Sequence, residues 1–118
     1  MWSKTAKFER KLERLYSRAI GANTRPIGDT KIRFVREFLA LRDSAPDEKW
    51  RRMYYSYGSD IFLLRASTEY LDPETRRELF PIAVDWLRSC KTENPGFSVT
   101  EADLRRTILG EDEDTNRP

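Results

Sequence analysis

Arginine and lysine are the residues of this chain whose number and spacing most favour a binding role. The sequence holds 22 Lys and Arg against 20 Asp and Glu, but the two signs are separated along it. Residues 1–65 carry 15 basic and 8 acidic residues, a net charge of +7, whereas residues 66–118 carry 7 and 12, a net charge of −5. A basic first half favours an acidic partner, which can be a nucleic acid, an anionic membrane surface or an acidic protein. The other interpretation is an ordinary solvated surface.

Residue types that commonly carry catalysis are absent or isolated. The chain has no histidine, which excludes His-based triads, imidazole general bases and mixed Cys/His zinc sites. The single cysteine, Cys90, lies on an apolar stripe and is expected to be a buried, inert thiol. The pairs Asp47/Glu48 and Glu74/Glu78 are expected to complement helix starts rather than to act as acid and base. With no glycine-rich phosphate loop either, the sequence predicts a protein that is not an enzyme, with no catalytic residues and no metal site.

Helices must position the basic residues, because apolar residues recur at spacings of three and four throughout the chain. The sequence predicts an all-α fold, a small antiparallel bundle of three to four helices over residues 1–91. A loop and a short extra C-terminal helix are predicted over residues 92–110, and an acidic, disordered tail over residues 111–118. The length of 118 residues fits one domain, and no charge-free run exceeds seven residues, so no membrane-spanning segment is predicted.

Capping residues predict where the helices begin and end. Asp29 is expected to cap the second helix, and Ser44, with Asp47 as its partner in a capping box, the third. Pro81 is expected to kink the fourth helix or to split off its first turn, because proline removes a backbone donor. The other boundary residues are Gly21, Asp72 with Pro73, Asn94, Thr100 with Asp103, and Gly110.

The predicted core consists of one apolar stripe per helix. Tyr54, Tyr55 and Tyr57 lie too close in sequence for all three to face that core, so at least one is expected at a surface. The four stripes are Phe8, Leu12, Leu15, Tyr16 and Ala19; Ile32, Val35, Phe38, Leu39 and Leu41; Trp50, Met53, Tyr54, Tyr57, Ile61 and Leu64; and Leu79, Ile82, Ala83, Trp86, Leu87 and Cys90.

Two stretches resemble the LYR-motif family of small, basic, helical mitochondrial assembly factors and accessory subunits. Leu15-Tyr16-Ser17-Arg18 resembles the tripeptide motif near the end of the family's first helix. Lys31–Phe38 resembles the basic stretch that ends in phenylalanine. From Leu15 to about Ser67, the chain is most similar to members that assemble the F1 part of ATP synthase. Ser17 stands where the motif has its arginine, and Arg18 lies about 100° further round the helix.

The resemblance implies a non-enzymatic mitochondrial adaptor, located in the matrix or at the matrix face of the inner membrane. It would serve as an assembly factor or accessory subunit of a large complex, such as ATP synthase, a respiratory complex or the mitoribosome. The alternative, from a different class, is a basic helical module that binds RNA or DNA within a ribonucleoprotein.

The resemblance also implies a partner, the acidic mitochondrial acyl carrier protein. In many family members its acyl-phosphopantetheine arm inserts into the helical bundle, and no cofactor belongs to the adaptor itself. A basic face would pair with the acidic carrier by charge, and a bundle lined by apolar side chains would admit an acyl chain. The residues expected to bind the partner are Tyr16, Arg18, Arg33, Arg36, Phe38 and Arg42.

Overall fold

The computed structural model describes residues 3–21, 28–64, 68 and 71–111, and all regular structure in these residues is helical. This confirms the predicted all-α fold. A 3₁₀ turn at Arg42–Ser44 precedes the third helix, and a π-helical turn at Arg105–Leu109 continues the fifth. The helices are α1 (Lys4–Gly21), α2 (Gly28–Ala40), α3 (Glu48–Leu63), α4 (Pro73–Glu93) and α5 (Glu101–Leu104).

The helices form a small bundle in which the predicted stripes meet. Helix α1 lies against α2 and α3, while α4 packs against α2 and against the π-helical turn. The short C-terminal helix that the sequence predicts is α5 with this turn. Residues 22–27 and residues 112–118 of the predicted tail lie outside the described residues. The buried members of the four stripes are Phe8, Leu12, Leu15, Ala19, Ile32, Val35, Phe38, Leu41, Tyr54, Ile61, Leu79, Ile82, Ala83, Trp86, Leu87 and Cys90.

Three predicted boundaries are confirmed by side-chain caps or backbone geometry. The carboxylate of Asp72 accepts a hydrogen bond from the backbone N–H of Thr75 at 2.7 Å, which caps α4. Thr100 and Asp103 form the reciprocal capping box at the start of α5. Gly110 ends the C-terminal helix with a φ of 70°, a left-handed conformation that glycine adopts without steric cost.

The predicted start of α3 is wrong by three residues. Asp47, not Ser44, caps the helix, and its carboxylate accepts from the backbone N–H of Trp50 at 3.0 Å. Ser44 instead ends the 3₁₀ turn. The reason is Pro46, because the residue before a proline is driven out of the helical region, and Ala45 is extended with a ψ of 125°.

Three further expectations need correction. Helix α2 already begins at Gly28, so the predicted cap Asp29 lies inside its first turn. Helix α4 runs unbroken through Pro81, so its first turn is not split off, while the alternative of a kink stays a prediction. Pro81 and Arg77, whose carbonyl loses its donor, are both exposed. Leu64 does not join the core, because the chain turns extended at the end of α3 and leaves it 48% exposed.

Helices α3 and α4 approach each other closely at a glycine. Gly58 is buried against the indole of Trp86, whose ring also packs against Phe62 and Phe97 at centroid distances of 5.0 and 5.9 Å. The indole nitrogen has no hydrogen-bond partner among the described residues. A methyl carbon at Gly58 would lie only 2.7 Å from Cε2 and 2.9 Å from Cζ2 of the ring. The absence of a side chain at position 58 therefore sets the distance between the two helices.

Lys31 is fully buried between α1 and α2, although lysine is rarely found in a core. Its Nζ donates a hydrogen bond to the carbonyl of Ala19. That carbonyl lies in the last turn of α1, where carbonyls have no partner within the helix. Lys31 precedes the core residues Val35 and Phe38 by four and seven residues. This spacing puts Lys31 on the same face of α2 as these residues and so favours its burial.

Burial lowers the pKa of Lys31 from 10.5 to about 8. Below pH 8 the folded protein keeps a desolvated charge, whereas between about pH 8 and pH 10 the unfolded chain binds the extra proton. We therefore expect the free energy of unfolding to rise with pH across this window, by up to about 3 kcal/mol. Urea unfolding followed by circular dichroism at several pH values measures the rise.

Lys31→Met is the control for this pH dependence. Methionine keeps the length of the side chain but cannot titrate, so the variant should lack the increase. Burial raises the pKa of the Cys90 thiol to about 12. The unfolded chain therefore loses this proton first, and the free energy of unfolding falls as pH rises above about 9. This contribution is the same in wild type and in Lys31→Met. Parallel stability curves for wild type and Lys31→Met would rule out a titrating buried lysine.

Candidate partner-binding face

The basic and the acidic residues of α1 lie on different sides of the helix. At 100° per residue, its six basic residues fall within a sector of about 120° on one side of the apolar stripe. Glu9 and Glu13 lie on the other side of the stripe. All six basic residues are exposed, and we call them the basic flank: Lys4, Lys7, Arg10, Lys11, Arg14 and Arg18.

The acidic side of α1 faces α3. Tyr16 donates a hydrogen bond to the carboxylate of Asp60 at 2.8 Å and stacks on Tyr57 at a centroid distance of 4.4 Å. Burial and this hydrogen bond raise the pKa of Tyr16 to about 12. Burial, followed by the nearby carboxylates of Glu13 and Glu9, raises the pKa of Tyr57 as well. Tyr16, predicted to bind the partner, therefore joins α1 to α3 on the side away from the basic flank.

The basic flank meets α2 at an aromatic ring. The guanidinium carbons of Arg18 and Arg33 lie 5.5 and 5.1 Å from the centroid of Phe34, which is half-buried. Both distances are within the range of cation–π attraction, which orients the two arginines without neutralising them. The structure thus brings together two predicted residues, Arg18 and Arg33, on a ring that the sequence analysis did not select. Its signal was a large apolar residue between Arg33 and the core position Val35.

Arg36 lies elsewhere on α2. It is exposed, but two residues from Phe34 correspond to about 200° round the helix, so the two side chains leave from opposite sides. Arg33 contacts the ring of Phe34 and Arg36 points away from it, so the two arginines are not equivalent, although both were expected to bind the partner.

Arg42 is engaged inside the molecule. Its guanidinium forms an ion pair with Glu93 at 2.6 Å, and the hydroxyl of Tyr55 donates to the same carboxylate. Burial opposes ionisation of Glu93, but the hydrogen bonds from Tyr55 and Arg42 outweigh it and lower the pKa of Glu93. The hydrogen bond to Glu93 raises the pKa of Arg42. This cluster ties the 3₁₀ turn to α3 and to the end of α4, so Arg42 serves the fold.

Phe38 belongs to the core. It has no exposed surface and stacks on Tyr54 at a centroid distance of 4.4 Å with an interplanar angle of 12°. Together with the stacked pair Tyr16 and Tyr57, these rings occupy the space between α1, α2 and α3. An acyl chain would have to displace aromatic rings to enter there. Tyr55 and Tyr57 are partly exposed, as expected for the tyrosine triplet.

A depression of about 520 Å³ lies along the middle of the basic flank. Its lining includes four described residues of α1, namely Lys7, Arg10, Lys11 and Arg14. Its volume is in the range of small-molecule sites, which span roughly 300–1,000 Å³. Among described residues, no group of His, Cys, Asp and Glu side chains is arranged to hold a metal ion.

Cys90 is buried, as predicted, and burial raises the pKa of its thiol to about 12, so the thiolate is disfavoured. No helix in the described part of the chain is long and apolar enough to cross a bilayer. Comparison with known proteins found no matching family model, no matching curated protein and no matching solved structure.

Proposed function

We propose that this protein is a non-enzymatic mitochondrial adaptor of the LYR type that docks acyl carrier protein. In this role it acts as an assembly factor or accessory subunit of a large complex, in the matrix or at the matrix face of the inner membrane. The observation that carries the proposal is the convergence of Arg18 and Arg33 on the ring of Phe34, beside the basic flank.

The electrostatics of this junction suit an acidic helical partner. Arg18 and Arg33 come from different helices, remain exposed, and are held by an uncharged ring, so their guanidinium groups stay available for carboxylates or a phosphate. A guanidinium can bind such groups through two parallel hydrogen bonds. Because the aromatic rings fill the space between α1, α2 and α3, the proposal places recognition at the carrier's acidic surface rather than at its acyl chain.

Charge reversal on α2 tests the proposal with a matched control three residues away. Arg33→Glu should reduce the carrier that co-purifies from mitochondria by on the order of 10- to 100-fold, because it replaces attraction by repulsion at the junction. Arg36→Glu makes the same change at an exposed position about 60° further round α2, on the opposite side of the helix from Phe34, and should have a much smaller effect. Mass spectrometry of the retained proteins measures both, and circular dichroism checks that each variant stays helical.

The outcomes separate the alternatives. Equal loss with Arg33→Glu and Arg36→Glu would contradict a specific docking junction. Retrieval of complex subunits without the carrier would keep the adaptor and reject the carrier as its partner. Recovery of RNA and ribosomal proteins that are lost on nuclease treatment would favour the nucleic-acid module instead.

A further inference from the structure

The row of basic residues along α1 lowers the stability of the free protein. Lys7/Lys11, Arg10/Arg14 and Arg14/Arg18 are each four residues apart, and like charges at this spacing destabilise a helix. Glu9 and Glu13 lie two or six residues from Lys7 and Lys11, so neither carboxylate has the spacing of three or four residues that would relieve the repulsion between these two lysines. An anion that binds along this row of cations would offset the repulsion between them.

Lys7 and Lys11 differ from other basic residues of the chain in their ion pairing. Arg42, Arg52 and Arg106 each form an ion pair with a carboxylate, at 2.6, 3.0 and 3.4 Å. Lys7 and Lys11 form no ion pair with any described acidic residue. Both nevertheless line the depression on α1, so their charges face a space that a ligand can occupy.

We propose that this depression is a binding site for a polyphosphorylated small anion. Four cations line one depression of about 520 Å³, which matches a compact ligand with more than one phosphate better than a single monovalent anion. The lysines act as point charges and the arginines offer paired donors to phosphate oxygens. The phosphates belong either to a free polyphosphate ester or to a lipid headgroup, since the chemistry of recognition is the same.

This site is separate from the proposed docking junction. Arg14 is the lining residue nearest to Arg18, four residues before it, so about 6 Å of helix lies between the edge of the depression and the contact with Phe34, and Lys7 and Lys11 lie further away. The inference does not depend on a carrier protein or on mitochondria, and it is tested with different variants.

Titration of the full chain with inorganic triphosphate, followed by calorimetry, tests the site directly. We expect saturable binding and a raised Tm, whereas sulfate at equal ionic strength should bind far more weakly because it carries one anionic centre. Lys7→Gln with Lys11→Gln should weaken triphosphate binding by on the order of 100-fold, about tenfold for each charged contact removed. The control Arg77→Gln with Arg88→Gln removes two exposed cations from α4 and should change binding by less than about threefold.

A second readout separates a binding site from a structural role. Without anion, Lys7→Gln with Lys11→Gln should have a Tm no lower than that of wild type, because the substitutions relieve repulsion. A lower Tm together with lost binding would overturn the proposal, since the lysines would then support the fold. Equal weakening by the α1 and α4 variants, or equal binding of sulfate and triphosphate, would also overturn it.

Vesicles identify the source of the phosphates. Co-sedimentation with phosphatidylcholine vesicles containing phosphatidylinositol bisphosphate, but not with phosphatidylserine vesicles of equal surface charge, would assign the site to a lipid headgroup. Triphosphate binding without sedimentation on either vesicle would assign it to a free anion. If the protein binds neither triphosphate nor the bisphosphate vesicles, the proposed site is wrong.

Discussion

Gly58→Ala is expected to destabilise the protein by about 2 to 4 kcal/mol, although alanine is the better helix former. The added methyl group would overlap the indole of Trp86, with Cε2 at 2.7 Å and Cζ2 at 2.9 Å. The ring cannot move aside easily, because it is 1% exposed and packs against Phe62 and Phe97. Urea unfolding monitored by circular dichroism measures the loss.

Gly96→Ala is the matched control. A methyl group there would meet only the side chain of Asn94 at 3.5 Å, an ordinary contact, so we expect a change within about 0.5 kcal/mol. Adding Trp86→Phe to Gly58→Ala should recover part of the loss, because the smaller ring leaves room for the methyl group. Equal stability of the two glycine variants would contradict the close approach of α3 and α4.

Phe38→Ala is expected to lower the free energy of unfolding by about 3 to 5 kcal/mol. The side chain has no exposed surface, and its loss would open a cavity beside Tyr54, on which it stacks. Such a loss is a large share of the total for a chain of this size, whose stability is of order 10 kcal/mol. If this variant binds less partner, the loss should equal the fraction of protein that is unfolded. Thermal and urea unfolding measure that fraction.

Phe34→Ala is its counterpart on the same helix. Phe34 is half-buried and holds Arg18 and Arg33, so we expect a cost of about 1 kcal/mol and a clear loss of carrier binding by folded protein. The two phenylalanines should therefore separate stability from recognition. If Phe38→Ala folds like wild type and binds no partner, the assignment of Phe38 to the core is wrong.

Apolar spacing was sufficient to predict the helices and most of the core, because helical periodicity is a local property of the chain. It fails at Leu64, where the stripe continues by number but α3 has ended. It also places the start of α3 at Ser44, since the cap pattern was weighed without the restriction that Pro46 imposes on Ala45.

The candidate site was only partly predictable for a different reason. Helical spacing places Arg33 beside Phe34 and Arg36 opposite it, but the contact of Arg18 with the same ring depends on how α1 packs against α2. The role of Arg42 depends on Glu93, which lies 51 residues away. Contacts between residues far apart in the sequence produce no periodic pattern, so they can be identified only from the packed helices.

The sorting of charge around α1 has a consequence for how the molecule meets its partners. From a distance the chain presents a net charge of only +2. Within a Debye length, about 8 Å at physiological ionic strength, an approaching anion senses the near side of the helix alone. The exposed basic flank attracts such an anion, whereas Glu9 and Glu13 lie towards α3, so the attraction acts on one side of the molecule and exerts a torque as well as a pull. We therefore expect the field to orient an acidic partner before side chains come into contact.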